Sequence, residues 1–187
     1  GTIADAAGNN AILTLAAPGA AGSLAANAAL VIETAAPTVN QVASTTTNGT
    51  YGIDDVITLT VGFSEDVFVD ITGGTPQLQL ETGDVDRFAT YSSGSGTNTL
   101  SFQYTVQAGD SSADLDQLSS SALQLNGGTI ADAAGNNAIL TLAAPGDAGS
   151  LGANAALVID TAAPTGSLLV PAYSAPATNP FGISDVG

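Results

Sequence analysis

Carboxylates are the residues in this chain that could do chemistry. The 187 residues carry 17 Asp and Glu against one base, Arg87, and the formal net charge is -16. Histidine and cysteine are both absent. Without them there is no thiolate or imidazole metal site, no Ser-His-Asp triad and no disulfide framework. One arginine cannot neutralise 17 acids. The others must be solvated, hydrogen-bonded to amides or shared with a bound cation. Several of them cluster. Glu65 and Asp66 follow an alternating apolar run, and Asp132 precedes Asn136 by four positions. Asp110, Asp114 and Asp116 fall within seven residues, a dense run without the spacing of an EF-hand. Hard carboxylate, carbonyl and amide oxygens are what Ca2+ takes, six to eight at a time.

The same balance excludes partners. Nucleic acid and anionic lipid both require a basic patch, so neither is expected. No long uninterrupted apolar run suggests insertion into a membrane. Carboxylate pairs can hydrolyse glycosides, but several of these acids recur in a duplicated segment, which argues for structure over catalysis. No enzyme is expected.

The elements that position these acids alternate at period 2. Ile57, Leu59, Val61 and Phe63 share one face of a run, as do Leu100, Phe102, Tyr104 and Val106. Gly- and Ser-rich turns separate such runs: Thr72-Gly73-Gly74, Ser92-Ser93-Gly94 and Asn126-Gly127-Gly128. The pattern predicts an all-β fold, an antiparallel sandwich, with strands at 38–44, 56–63, 67–71, 77–81, 87–91, 99–106, 122–131, 137–142 and 155–160. Residues 110–121 could hold one helical turn, and 143–154 read as a surface loop. Thr82–Arg87 reads as a hairpin with an exposed Asp86–Arg87 neighbourhood. Tyr51, Tyr91 and Phe68 are the aromatics that could stack on a sugar.

Residues 1–38 return as residues 128–165, an offset of 127, with only Ala20/Asp147, Ala25/Gly152 and Glu33/Asp160 differing. An offset that long repeats a whole domain. Residues 1–35 therefore read as the last strands of one repeat, 36–164 as a complete repeat, and 165–187, with Pro171, Pro176 and Pro180, as a Pro-rich linker or the start of another domain. A unit of this size buries roughly two-thirds of its unfolded surface, so a self-sufficient core is feasible.

A β-rich repeat that opens on Thr-Ala-Ala-Pro-Thr, carries Phe63-Ser64-Glu65 after its second strand and Asp132-Ala133-Ala134-Gly135-Asn136 before its last resembles the bacterial immunoglobulin-like repeats of large secreted adhesins of the repeats-in-toxin type. The resemblance spans residues 1–165. It implies immunoglobulin-like sandwiches in tandem, an extracellular or cell-surface spacer, and calcium at the joints between neighbouring repeats. In that topology Glu33, Glu65, Asp66, Asp132 and Asn136 fall at the upstream joint. Asp160 and the Asp110, Asp114, Asp116 loop fall at the opposite pole. Two alternatives remain open: a filament subunit joined to identical subunits by strand exchange, and a module that binds glycan or protein through its loops.

Overall fold

A computed structural model describes residues 1–166. It contains ten strands and two single-turn helices among those residues: α1 (Leu24–Asn27), β1 (Val39–Ser44), β2 (Gly49–Tyr51), β3 (Val56–Asp70), β4 (Gln77–Leu80), β5 (Arg87–Ser93), β6 (Thr97–Thr105), β7 (Ser111–Ser112), β8 (Leu123–Gln124), β9 (Thr129–Ala131), α2 (Leu151–Asn154) and β10 (Leu157–Asp160). The all-β expectation is met. One sheet runs β1-β3-β6-β5-β4-β8, with β9 added along the far half of β3. A smaller sheet runs β2-β10-β7. Pairing is antiparallel throughout except between β2 and β10, which are parallel.

The period-2 runs land as predicted. Ile57, Leu59, Val61 and Phe63 of β3 and Leu100, Phe102 and Tyr104 of β6 are buried, and Leu157 and Ile159 of β10 join the same cluster from the second sheet. The two sheets thus share one core. Tyr91 meets the edge of Phe102 with ring centroids 5.9 Å apart, an orientation aromatic quadrupoles favour.

Several boundaries move. The runs at 56–63 and 67–71 form one strand, β3, with a register shift between Gly62 and Val67 that hands the chain from β1 to β9. The run at 122–131 splits into β8 and β9, because Gly127, at φ 91°, takes a left-handed turn in which its backbone lies directly against Gly73. Residues 137–142 make isolated bridges, Ala131 with Asn137 and Thr38 with Ile139, and no strand. The helical turn expected in 110–121 is replaced by β7, whose Ser111 and Ser112 pair with Asp160 and Ile159. The loop at 143–154 ends in α2, because the Ser150 hydroxyl accepts from Ala153 N–H at the helix start. Strand β2 was not signalled by the sequence, since Gly49-Thr50-Tyr51 is too short to alternate. The Pro-rich segment read at 165–187 lies, from 167 onward, outside the described residues.

Residues 1–35 stand apart from this core. Ser23 is the buried residue among them. Their side chains repeat those of 128–162 without the sheets to receive them.

Candidate functional site: an acidic cleft and a buried ion pair

The turn that follows β9 fixes Asp132 locally. Its Oδ1 accepts from the Asn136 backbone N–H at 2.8 Å, and its Oδ2 accepts from Asn136 Nδ2 at 2.8 Å. The Asn136 amide bond, with help from backbone N–H groups, holds the Asp132 carboxyl below the ordinary carboxylate range, against a smaller opposing effect of desolvation. The first copy makes the same turn. Asp5 accepts from Asn9 N at 2.8 Å and Asn9 Nδ2 at 2.8 Å, and its carboxyl is lowered for the same reason. This geometry belongs to the five-residue phrase itself.

Asn136 also reaches across to the preceding copy, donating from Nδ2 to the Glu33 carbonyl at 3.3 Å. That bond places Glu33 beside Asp132. Glu33, Glu65, Asp66 and Asp132 line one open cleft of about 600 Å³, together with Val31, Phe68, Ala133 and Ala134. The sequence-predicted upstream group is therefore brought to one place from three separate stretches of chain.

Convergence on a cleft is not yet chelation. No group of three or more carboxylates among the described residues is close enough to share a cation. Glu33 Oε1 accepts from the N–H groups of Thr34 and Ala35 at 2.8 and 2.7 Å, and both Asp132 oxygens are engaged by Asn136. The donor chemistry suits a hard cation, but the arrangement does not yet fit one.

The four acids expected at the opposite pole do not gather. Asp160 pairs with Ser111 across the sheet, and its Oδ1 accepts from Ala162 N at 3.0 Å. Asp114 is exposed. Asp116 caps two amides, Gln117 N at 2.9 Å through Oδ1 and Gly146 N at 2.8 Å through Oδ2. Asp110 is buried and spent on protein partners: Arg87 Nε at 2.7 Å, the Tyr104 hydroxyl at 2.6 Å and Gln107 N at 2.8 Å. Burial opposes ionisation of Asp110, but these donors outweigh it and hold its carboxyl below the ordinary range. Burial first, then the bond to Asp110, pushes the Tyr104 phenol well above its usual value.

Arg87 is thus not the exposed hairpin cation that its neighbourhood suggests. The signal for its partner was present: Tyr104 lies on the inward face of β6, and a buried acid in this chain has one base to turn to. Thr161 ties the end of β10 to the same loop, donating to the Asp110 carbonyl at 2.7 Å and accepting from Gly109 N at 3.2 Å. Gln117, fully buried, bridges Ala143 O at 3.0 Å and Leu151 N at 2.9 Å. No sequence pattern announces it.

Of the aromatics that could stack on a sugar, Phe68 is about half exposed and stands at the acidic cleft, while Tyr91 is half-buried against Phe102. No family model matches this chain, and no curated protein or solved structure is significantly similar to it. No helix among the described residues is long and apolar enough to cross a membrane.

Proposed function

We propose that the chain is part of an extracellular array of immunoglobulin-like β-sandwich modules that acts as a mechanical spacer in a large bacterial adhesin. The observation that carries this reading is the meeting at the upstream cleft. Glu33, from the end of one copy, faces Glu65, Asp66 and Asp132 of the next unit, and Asn136 bonds to its backbone across the junction. A seam where one unit ends and the next begins is where an array sets its bending stiffness. Shared-core sheets, a 127-residue offset and a sequence without histidine or cysteine fit a structural role.

Calcium enters the proposal as a ligand of this seam. Unscreened, Glu33, Glu65 and Asp66 repel one another and favour bending. Binding requires these three to close on the ion, with Asp132 keeping its turn to Asn136. An ion that binds the folded joint preferentially stabilises it by mass action. The test is a chain of several modules measured with calcium and with chelator. Chelation is expected to lower the Tm and to shorten the maximum dimension seen in small-angle scattering. If neither moves, calcium is removed from the proposal and the spacer role must rest on the modules alone.

The filament reading rests on a different observation: apolar side chains in residues 1–35, among them Leu15, Leu24 and Ile32, are exposed. It requires the chain to polymerise as its concentration rises.

A further inference from the structure

Ile3, Leu15, Leu24, Leu30 and Ile32 are all largely solvent-exposed. Leu15, Pro18, Leu24 and Leu30 line an open groove of about 730 Å³. An apolar face of this kind marks a contact surface, and the second copy shows what covers it. The counterparts Ile130, Leu142, Leu151, Leu157 and Ile159 are all buried, in the core that residues 39–127 supply. The covering contacts are specific. Leu151 N–H donates to the buried Gln117 side chain, Asn154 Nδ2 donates to Val42 O at 2.8 Å, and β10 lies between β2 and β7. In the first copy Asn27 Nδ2 donates to Ser23 O at 2.8 Å instead.

One of the three differences between the copies lies in this interface. A Cβ placed on Gly152 would stand 2.9 Å from Asp116 Oδ2 and 3.3 Å from its Cγ. Asp116 is short and held at both oxygens by Gln117 N and Gly146 N, so moving it costs a cap. The first copy has Ala25 at this place. Gly152 is the second residue of a four-residue helix, where alanine's advantage over glycine is small. Residues 1–35 therefore match residues 128–162 at every buried apolar position, and Ala25 is the difference that meets Asp116.

We propose that residues 1–35 complete a second β-body built like residues 39–127 but lacking a carboxylate at the place of Asp116, and that the Gly152–Asp116 contact leaves them weaker than residues 128–162 in competition for this chain's own body. The inference rests on the module reading above and not on calcium. Its consequence is fidelity: near-identical neighbours in one chain are kept from exchanging strands by a single methyl group.

The test extends the full chain by placing a copy of residues 39–127 directly ahead of Gly1, which recreates the Gly127–Gly128 junction. Calorimetric unfolding enthalpy scales with the number of folded residues, so it is expected to about double. The amides of Leu24, Leu30 and Ile32 are expected to gain protection from exchange of about 100-fold or more. Ala25→Gly is expected to raise the melting midpoint of the added module by about 2–5 °C while the added body keeps Asp116. With Asp116→Ala in the added body that gain is expected to vanish. Unprotected amides in the extended chain would overturn the docking proposal. A neutral Ala25→Gly with Asp116 present would overturn the fidelity mechanism. In the unextended chain, Glu33→Cys with Ser111→Cys reports exchange, because Glu33 is the counterpart of Asp160, which pairs with Ser111. A monomer under oxidising conditions is expected. An interchain disulfide at micromolar concentration would assign the face to a second copy of this chain instead. Because none of these readouts involves calcium, failure here and failure of the calcium seam are distinguishable.

Discussion

Two stretches of this chain, 1–38 and 128–165, differ at only three positions, and they meet opposite environments. Leu24 is 71% exposed and Leu151 not at all; Ile32 is 91% exposed and Ile159 2%. Some features survive the change. Ser23 and Ser150 each cap a single helical turn, with φ −76° and −75°, and Asp5 and Asp132 each fold over an asparagine four residues on. Others do not. The strands β9 and β10 have no counterpart in the first copy, which keeps only the Ala4–Asn10 bridge that matches Ala131–Asn137. The lesson is a division of labour: turns and caps are written within a few residues, whereas a strand exists only where a sheet is present to pair it.

Paired substitutions should break that comparison most sharply. Leu151→Ala removes a fully buried side chain and is expected to cost about 3–5 kcal/mol, measured by urea unfolding. Leu24→Ala, the same change in the exposed copy, is expected to cost less than about 0.5 kcal/mol. Equal effects would mean that the first copy is packed in solution.

The exit end offers the next largest effect. Thr161 is anchored to the Asp110 loop, while its counterpart Thr34 bonds only to its own neighbour Glu33. Asp110→Ala strands Arg87 and the Tyr104 hydroxyl. It is expected to cost about 2–4 kcal/mol, toward the lower end because the Arg87 side chain is a quarter exposed. The sign with pH follows from the shifts. A lowered Asp110 contributes stability that is present above the ordinary Asp value near 3.9 and is lost as pH falls through its folded value. The raised Tyr104 contributes stability below pH of about 10, lost as the pH climbs past it. Urea midpoints across pH should therefore fall at both ends, and Asp110→Ala should flatten the acid arm and shallow the alkaline arm only in part, because burial, the larger cause of the Tyr104 shift, remains. An unchanged alkaline arm would show that Tyr104 does not depend on this contact.

The alternating residues of β3 and β6 were legible in the sequence because a period-2 pattern is written in consecutive residues of the strand itself. The upstream grouping came from the topology that the resemblance implies, and Glu65 and Asp66 reach the cleft from inside β3, not from the end of a strand. What could not be read came from partners distant in sequence. Residues 137–142 alternate like a strand, but Ile139 finds only the Pro37–Thr38 backbone. Asp110 looked like one more free acid in a metal loop until folding set Arg87 and Tyr104 against it. Asp116 likewise faces amides of Gln117 and Gly146, the second of them 30 residues away.

The smallest expected effect tests the part of the comparison that should not differ at all. If the Asp-to-Asn fold is a property of its own five residues, Asp5 and Asp132 must both titrate below the free carboxylate, because the dominant cause in each is the side-chain bond from the following asparagine. Carboxyl-carbon chemical shifts followed through an acid titration report each site separately. Asn9→Ala and Asn136→Ala should each move the facing aspartate back toward the ordinary value. Their consequences for the rest of the molecule should diverge. Asn136→Ala also deletes the bond to the Glu33 carbonyl and loosens the acidic seam, so exchange at Thr34 and Ala35 should quicken. Asn9→Ala touches no neighbour outside its turn and should leave every other amide unchanged. If Asp132 alone were lowered, the turn would owe its geometry to the sheet that follows it, and local encoding would fail at the motif where it is best supported.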